Sequence, residues 1–461
     1  MWKGLYPKHH RKEIPISHVT NGVHLQTWLS LQMTEMFDRY IGPDYFHRAD
    51  LHESWNNIYD IPDGEIWNAH CRRKEQVVSF IRRQVSSLRS RGSYVKSNLK
   101  DVEQLLNPDY LTIGFARRFA PYKRANLILS DPERLAALIT NKEKPLQLVF
   151  AGKAHPADVS GKKIIKEIFD FISKYSLETK VVFIEDYDMN VSRHLVQGVD
   201  VWLNTPLRPM EASGTSGMKA GINGVLNLSI ADGWWPEAYD GTNGWMITAG
   251  DEITDPHLAR TAEANQLYDF LENEIVEYYY DRADNNIPLE WVKMMKNSII
   301  TCCSKFNMHR AVREYLYNFY MPQMELSKKI CMDNCFMLKK LNKFKKEIDS
   351  FWNKIFIRDY FTSIDGRMPI SGEAVNVDCY VYLGDIDENL VNVELLYCHS
   401  ENGEKNIVVP LQFMEKYSDK VAKYYGSVVL SGNGQQEISA RVTPSDPDFR
   451  ALYPEYVKWK E

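Results

Sequence analysis

The stretch EASGTSGMKAGINGV, residues 211–225, sets a carboxylate, several hydroxyls, glycines and a lysine side by side and then turns apolar. Gly214 and Gly217 let the backbone approach a bound group, and Ser213, Thr215 and Ser216 add hydroxyl donors. A helix starting here would offer free backbone N–H groups and a positive dipole end to a phosphate. A Gly/Ser turn capping a helix, with Lys219 solvated, is the other reading of the same residues. The spacing fits neither G-x-x-x-x-G-K-[ST] nor G-x-G-x-x-G. A second cluster, ARRFAPYKR at 116–124, carries Arg117, Arg118, Lys123 and Arg124. Arginine suits bidentate phosphate contact and lysine a point charge, so the four could rim an electropositive pocket. Alone, such a cluster is a basic surface patch; paired with a second anion-type loop on the same sheet edge, it favours a phosphate site. Glu211 is either a salt-bridge partner or an acceptor for sugar hydroxyls. Tyr122, Tyr187, Trp234, Trp235 and Trp245 offer ring faces of the kind carbohydrate sites use, with core packing as the alternative for each Trp. His18 and His24 flank VTNG, whose Asn–Gly marks a tight turn.

The elements around these residues follow from periodicity. LTIGFARRF, LQLVFAGKA, VVFIEDY, DVWLN and VLNLSIADG read as strands, the last closing the series. LILSDPERLAALITN, GKKIIKEIFDFISKYS and NVSRHLVQGV read as helices between them. Short apolar strands alternating with amphipathic helices predict a parallel sheet covered on both faces, with ligands outside the carboxyl ends of the strands. FARRFAPYK, AGKAHPAD, EDYDMN and NTPLRPMEASGTSG all fall at those ends. Residues 1–100 show helical patterning in SFIRRQVSSLRSRG, and 257–356 are mostly helical. In MLKKLNKFKKEIDSFWNKIF, Leu338, Leu341, Phe344, Ile348, Phe351 and Ile355 share one face, which suits packing on its own domain. After about 370 the period becomes two, in AVNVDCYVYLG, VNVELLYCHS, NIVVPLQF, SVVLSG and EISARVTP. The turn signals ENGE and SGNGQ separate strands of a small antiparallel β-sandwich.

The 461 residues suffice for two or three domains, and 44% hydrophobic with 25% charged residues is ordinary for a globular protein. A net charge of −5 gives no support to nucleic-acid binding. Seven cysteines form no disulfide framework; Cys331 and Cys335 stand at i, i+4 but lack partners at metal-ligand spacing, so no metal is expected. The start, MWKGLYPKHH, has no signal-peptide core, and no apolar run reaches bilayer length, so a cytoplasmic protein with no membrane partner is the expectation.

EASGTSGMK resembles the EASGTxxMK signature of the α-glucan (glycogen, starch and maltodextrin) phosphorylases, whose lysine carries pyridoxal 5′-phosphate. FARRFAPYKR looks like that family's basic loop, LVFAGKAHPAD like its GGKAxP segment, and IEDYDMN like its ENY segment. HVTNGVHLQTW, EYYYDRADNNIPLEWVKMMKNSI and FNMHRAVREY are similar to its short bacterial and archaeal branch. The resemblance runs from about residue 16 to 325 and more loosely through the sandwich. It implies a glycosyltransferase of the two-Rossmann (GT-B) α/β fold, with C-terminal helices and the sandwich. The expected organisation is a helical connecting segment at 1–105, a Rossmann-like cofactor and phosphate domain at 106–325, a helical linker at 326–369 and the sandwich at 370–461.

By motif, the resemblance implies that Lys219 carries the cofactor as a Schiff base. Arg117, Thr215, Ser216 and Gly217 would approach its phosphate, and Tyr187 would help seat it. Arg118 and Lys123 would bind the substrate phosphate. Glu211, Ser213, Gly214, Tyr122 and His24 would face the glucosyl unit. The implied reaction is reversible: an α-1,4-glucan end plus inorganic phosphate gives glucose 1-phosphate with retention, the cofactor phosphate relaying a proton. Two departures stand out. Phe119-Ala120-Pro121 replaces a segment that contains a histidine in the longer enzymes, and TNGVH leaves both Gly22 and His24 as matches to the family's sugar-contacting histidine. TNGVH also begins at Thr20, where the family has a preceding domain of ~100 residues or more. The expectation is therefore a C-terminal phosphorylase portion that works with an N-terminal half or as a homo-oligomer and has little activity alone. The alternatives are a nucleotide-sugar glucosyltransferase of the starch-synthase type, and a non-catalytic glucan-binding remnant.

Overall fold

Six short, largely apolar segments form a fully parallel sheet: β1 (Leu111–Ala116), β2 (Leu146–Ala151), β3 (Val181–Ile184), β4 (Val201–Asn204), β5 (Leu226–Ile230) and β6 (Gly244–Ile247). Every residue in them except Met246 is buried, as expected for a sheet covered on both faces. The structure is a computed structural model that describes residues 5–6, 13–90, 101–364, 370–399, 405–431 and 436–460. Strand order is β3-β2-β1-β4-β5-β6, so the direction of winding reverses between β1 and β4. A crevice opens outside the carboxyl ends of the strands at such a reversal. β6 corrects the expectation that VLNLSIADG closes the series. GWMI is four residues long and set among polar turns, too short a run to stand out by apolar periodicity.

Three crossover helices start in the same way. Asp131, Asp158 and Asp188 each precede a helix (Pro132–Thr140, Val159–Tyr175 and Met189–Gly198) and accept a bond from a backbone N–H in its first turn. This is why LILSDPERLAALITN turns helical only at Pro132.

At the amino end of β4, Asp200 is fully buried. It accepts from Lys74 Nζ at 2.5 Å, His70 Nε2 at 2.7 Å and the Thr112 backbone N–H at 2.7 Å. Lys74 also reaches the Tyr110 carbonyl and the Tyr279 hydroxyl. Helix Asp63–Ser90, which carries His70 and Lys74, is thereby tied to β1 and β4. Burial alone would raise the Asp200 carboxyl, but Lys74 and His70 outweigh it and hold it below the usual carboxylate range.

The chain divides into two compact units, Val19–Asn318 and Met1–His18 with Phe319–Glu461. The first holds the parallel sheet together with the helices from Leu25 to Ser90. In the second, β7 (Phe356–Thr362), β8 (Ala374–Tyr382), β9 (Val391–His399), β10 (Lys405–Ser418), β11 (Val421–Val429), β12 (Gln436–Pro444) and β13 (Lys458–Trp459) pair in the order β13-β12-β9-β10-β11-β8-β7. The pairings are antiparallel, and β10 divides its length, pairing with β9 over 405–411 and with β11 over 412–418. β7 and β13 were not expected from the sequence. The turn signals at 401–404 and 432–435 lie outside the described residues.

Helix Met321–Phe351 is interrupted at Met332–Cys335, where Asp333, Asn334 and Cys335 take positive φ. The interruption means that Cys331 and Cys335 do not share one continuous helical face. Beyond it, Leu341 and Ile348 are buried and Phe344 and Phe351 are partly buried, while Leu338 is exposed, so the predicted stripe packs on its own unit except at its first residue. Among the described residues no helix is long and apolar enough to cross a membrane, and no three His, Cys, Asp or Glu residues are grouped to hold a metal.

The Asp200 cluster carries a testable consequence. Lys74→Met leaves a buried carboxylate short of its main partner and should cost about 3–5 kcal/mol, read as a lower urea midpoint by circular dichroism. Because the Asp200 pKa is depressed, its contribution is present above the ordinary aspartate range, about pH 4. It is lost as pH falls through the native value. In Lys74→Met, acid unfolding should therefore begin at higher pH than in the wild type.

Candidate functional site

Two loops meet at the winding reversal. The loop after β1 carries Arg117 to Arg124, and the loop after β4 runs from Thr205 to Thr215 and enters a short helix, Ser216–Gly221. The Glu211 carboxylate joins them: one oxygen, Oε2, accepts from Arg117 Nη2 at 2.9 Å and from Lys123 Nζ. Arg117 Nη1 donates to Asn204 Oδ1 at the end of β4. Burial lowers the Arg117 guanidinium's pKa, with Glu211 opposing the shift. Its Nε is buried and has no hydrogen-bond partner among the described residues.

A third loop, after β5, fixes Glu211 from behind. Asp232 Oδ2 accepts from the Glu211 backbone N–H at 2.9 Å, and the Trp234 N–H donates to the Ser213 carbonyl at 3.0 Å. Gly233, at φ +63°, has room for no Cβ, which would lie 2.2 Å from the Ser213 carbonyl oxygen. Burial raises the Asp232 carboxyl.

Lys219 stands apart from this ion-paired group. It lies on the short helix, half-buried, with Nζ 3.8 Å from the centre of the Trp28 ring, and it makes no ion pair among the described residues. Burial lowers its pKa. Asn223, itself fully buried, binds the two segments: Nδ2 donates to the Lys219 and Trp28 carbonyls at 2.9 Å each, and Oδ1 accepts from the Ser30 N–H at 2.8 Å. Trp28 and Asp232 were not singled out from the sequence. Trp28 lies far from Lys219 in the chain, and no local pattern signals their contact.

The remaining residues divide between the site and its support. Arg118 is exposed and makes no hydrogen bond or ion pair among the described residues. Lys123 Nζ lies 4.6 Å from the centre of the Tyr122 ring. Tyr187 lies near Arg117, and burial raises its pKa. Thr215 occupies the helix N-cap without capping through its hydroxyl, and Ser216 Oγ accepts from Trp202 Nε1 at 3.2 Å. At Gly217 a Cβ would lie 2.5 Å from Asn227 Oδ1 and 2.8 Å from the Trp234 ring, so the helix packs here as closely as a glycine permits. Gly214, at φ +77°, lies against Glu211, and Ser213 is half-buried beside it. His24 is exposed, with Nδ1 2.8 Å from Thr27 Oγ1. Gly22 abuts the Asn307 backbone, where a Cβ would meet the carbonyl oxygen at 2.2 Å; of the two residues, only His24 has a side chain to offer.

For the three tryptophans the core-packing alternative holds, and for Arg124 the expectation of an open rim fails. Trp234, Trp235 and Trp245 are each at most 2% exposed and belong to the core, so none offers a ring face. Trp235 Nε1 is bound to the Trp245 carbonyl, and Trp245 Nε1 to Glu274. Arg124 is not part of an open rim, because it is buried and each of its three guanidinium nitrogens is bonded, to Glu263 or to a backbone carbonyl.

The family model for carbohydrate phosphorylase matches residues 8–240, which include both loops, Glu211 and Lys219. The chain belongs to the carbohydrate phosphorylase family. The family model for the glycogen phosphorylase C-terminal domain matches residues 352–461. Among similar phosphorylases, a maltodextrin phosphorylase of Thermococcus litoralis is 38% identical over 417 residues, covering 89% of this chain and 48% of that protein. A glycogen phosphorylase of Aquifex aeolicus is 43% identical over 325 residues, 69% of this chain and 45% of that protein. One from Mycobacterium tuberculosis is 34% identical over 399 residues, 86% of this chain and 45% of that protein. The chain thus spans about half the length of the phosphorylases it matches.

An amine with a lowered pKa is deprotonated, and so nucleophilic, at lower pH than an ordinary lysine. When the chain is pulse-labelled with a small amine-acylating reagent across a pH series and read by peptide mass spectrometry, Lys219 should reach half-maximal labelling at lower pH than the exposed lysines. A Lys219 profile that coincides with theirs would contradict the burial effect.

Proposed function

We propose that this chain supplies the cofactor- and phosphate-binding part of an α-glucan phosphorylase of the GT-B fold. The reaction is the reversible phosphorolysis of terminal α-1,4-glucosyl units by inorganic phosphate, giving glucose 1-phosphate with retention. The observation that carries this reading is the contrast at the winding reversal between paired Arg117 and Lys123 and unpaired Lys219. Pyridoxal 5′-phosphate fits the residues present. Among the described residues the Lys219 amine has no carboxylate competitor and Arg117 keeps a buried N–H donor unused, and Gly217 lets the short helix pack without a side chain in the way.

In this reading Lys219 holds the aldehyde end of the cofactor, with the Trp28 ring against the amine. Arg117, with Thr215, Ser216 and Gly217, binds the cofactor phosphate, and Tyr187 helps to seat the group. When bound, the cofactor contributes a phosphate that can donate and accept a proton beside the reacting phosphate. The free guanidinium of Arg118, together with Lys123, holds the substrate phosphate and stabilises the charge that builds on it. Glu211 accepts from sugar hydroxyls while keeping Lys123 in place; Ser213, Gly214, Tyr122 and His24 complete the glucosyl side.

The same reading takes the antiparallel strands as a β-sandwich and the domain limits as 105, 325 and 369. It places the protein in the cytoplasm and has it acting with an N-terminal phosphorylase half or as a homo-oligomer.

The test has two parts. Purified chain reconstituted with pyridoxal 5′-phosphate should show the absorbance of a lysine-bound cofactor, and Lys219→Ala should abolish it; a wild-type chain that binds none refutes the cofactor assignment. Phosphate-dependent release of glucose 1-phosphate from maltodextrin is then measured with and without the N-terminal half of the Thermococcus litoralis relative. Release should rise on addition of that half. Binding of a nucleotide-glucose with no dependence on Lys219 would favour the glucosyltransferase alternative.

A further inference from the structure

The buried pair Arg124–Glu263 lies outside every role assigned above, and it connects the two loops that carry those roles. Arg124 closes the single turn Pro121–Lys123 in a left-handed conformation, φ +45° and ψ +46°. From there its guanidinium is buried against the start of the loop after β4. Nε donates to the Thr205 carbonyl at 3.1 Å, Nη2 to the Pro206 carbonyl at 2.8 Å, and Nη1 to Glu263 Oε2 at 2.5 Å. Arg124 and Glu263 are 7% and 6% exposed, so neither charge is solvated in place of its partner.

The contact is reciprocal. Thr205 Oγ1 donates toward the Lys123 and Arg124 carbonyls at 3.3 and 3.0 Å, and the Leu207 N–H donates to the Tyr122 carbonyl at 2.6 Å. Glu263 stands on the helix Pro256–Phe270 and packs closely on Gly250, where a Cβ would lie 2.8 Å from its Cγ. One turn earlier on that helix, Arg260 donates to the Asn126 carbonyl at 3.1 Å.

We propose that Arg124 and Glu263 are positioning residues which clasp the loop after β1 to the loop after β4 and so set Lys123 and Glu211 at the spacing phosphate binding requires. The inference rests on the phosphate-binding reading above and deepens it. The clasp needs arginine, because three acceptors in different directions are met by one planar fork, and lysine presents a single charged nitrogen. Lys123 is the residue next to Arg124, so a shift of that turn moves its ammonium off Glu211 directly, and small displacements of binding groups are costly.

The experiment uses the full chain and inorganic phosphate. Phosphate affinity is measured by calorimetry well below the melting temperature for wild type, Arg124→Lys, Glu263→Gln and the remote destabilised variant Lys74→Met. Cofactor loading is followed by absorbance in the same samples. Arg124→Lys should weaken phosphate binding about tenfold, Glu263→Gln should weaken it by less in the same direction, and both should load the cofactor as wild type does. Lys74→Met should bind phosphate like wild type. Wild-type affinity in both clasp variants, or an equal loss in Lys74→Met, overturns the clasp and leaves the phosphate site standing. A wild-type chain that binds no phosphate overturns both. Loss of cofactor absorbance in wild type with phosphate binding intact removes the cofactor assignment alone, and the clasp is then decided by the phosphate affinities.

Discussion

One carboxylate organises the crevice. Glu211 is nearly buried and is shared by two cations from a different loop, so the loops after β1 and β4 cannot separate without leaving three charged groups short of partners. Breaking a buried pair by removing one member costs far more than the pair itself contributes, because the other charge stays desolvated. Asp232, in the loop after a third strand, acts on the same residue by holding its backbone N–H. The position of Glu211 is thus fixed by β1, β4 and β5 together.

Against that paired background, Lys219 differs in chemistry. Arg117, Lys123 and Arg124 have acidic partners, and Lys219 has an aromatic ring. An ammonium that is partly desolvated and lacks a counter-ion is biased toward the neutral amine, the form that reacts with a carbonyl. The same stretch of chain therefore holds an ion-paired acid, Glu211, and a half-buried lysine, Lys219, with no acidic partner among the described residues, while Gly214 takes a positive φ and Gly217 lets the short helix pack closely.

β4 links this crevice to the rest of the unit. Its carboxyl end supplies Asn204 to Arg117, and Asp200, just before its amino end, is tied to Lys74 and His70 on the long helix. The two polar clusters lie at opposite ends of one buried strand, with apolar packing between them. The cluster around Asp200 ties the strand to the long helix at one end, and the loops that carry Arg117, Lys123 and Glu211 lie at the other.

The order of strands and crossover helices was legible because buried parallel strands and amphipathic helices leave strong periodic signals. β6, β7 and β13 left none, being short or flanked by polar turns. The types of the site residues and their loops were also legible, since glycine, arginine and lysine spacing is local information. The sequence by itself determined which groups could meet a phosphate and which loops carry them. The tertiary structure alone decided their division of labour: Arg124 points inward to carbonyls and Glu263, Trp234, Trp235 and Trp245 fill the core, and Trp28 covers Lys219. Each of those outcomes depends on residues distant in the chain arriving at the same place, and burial and partner choice are properties of that arrival, not of any residue's neighbours in sequence.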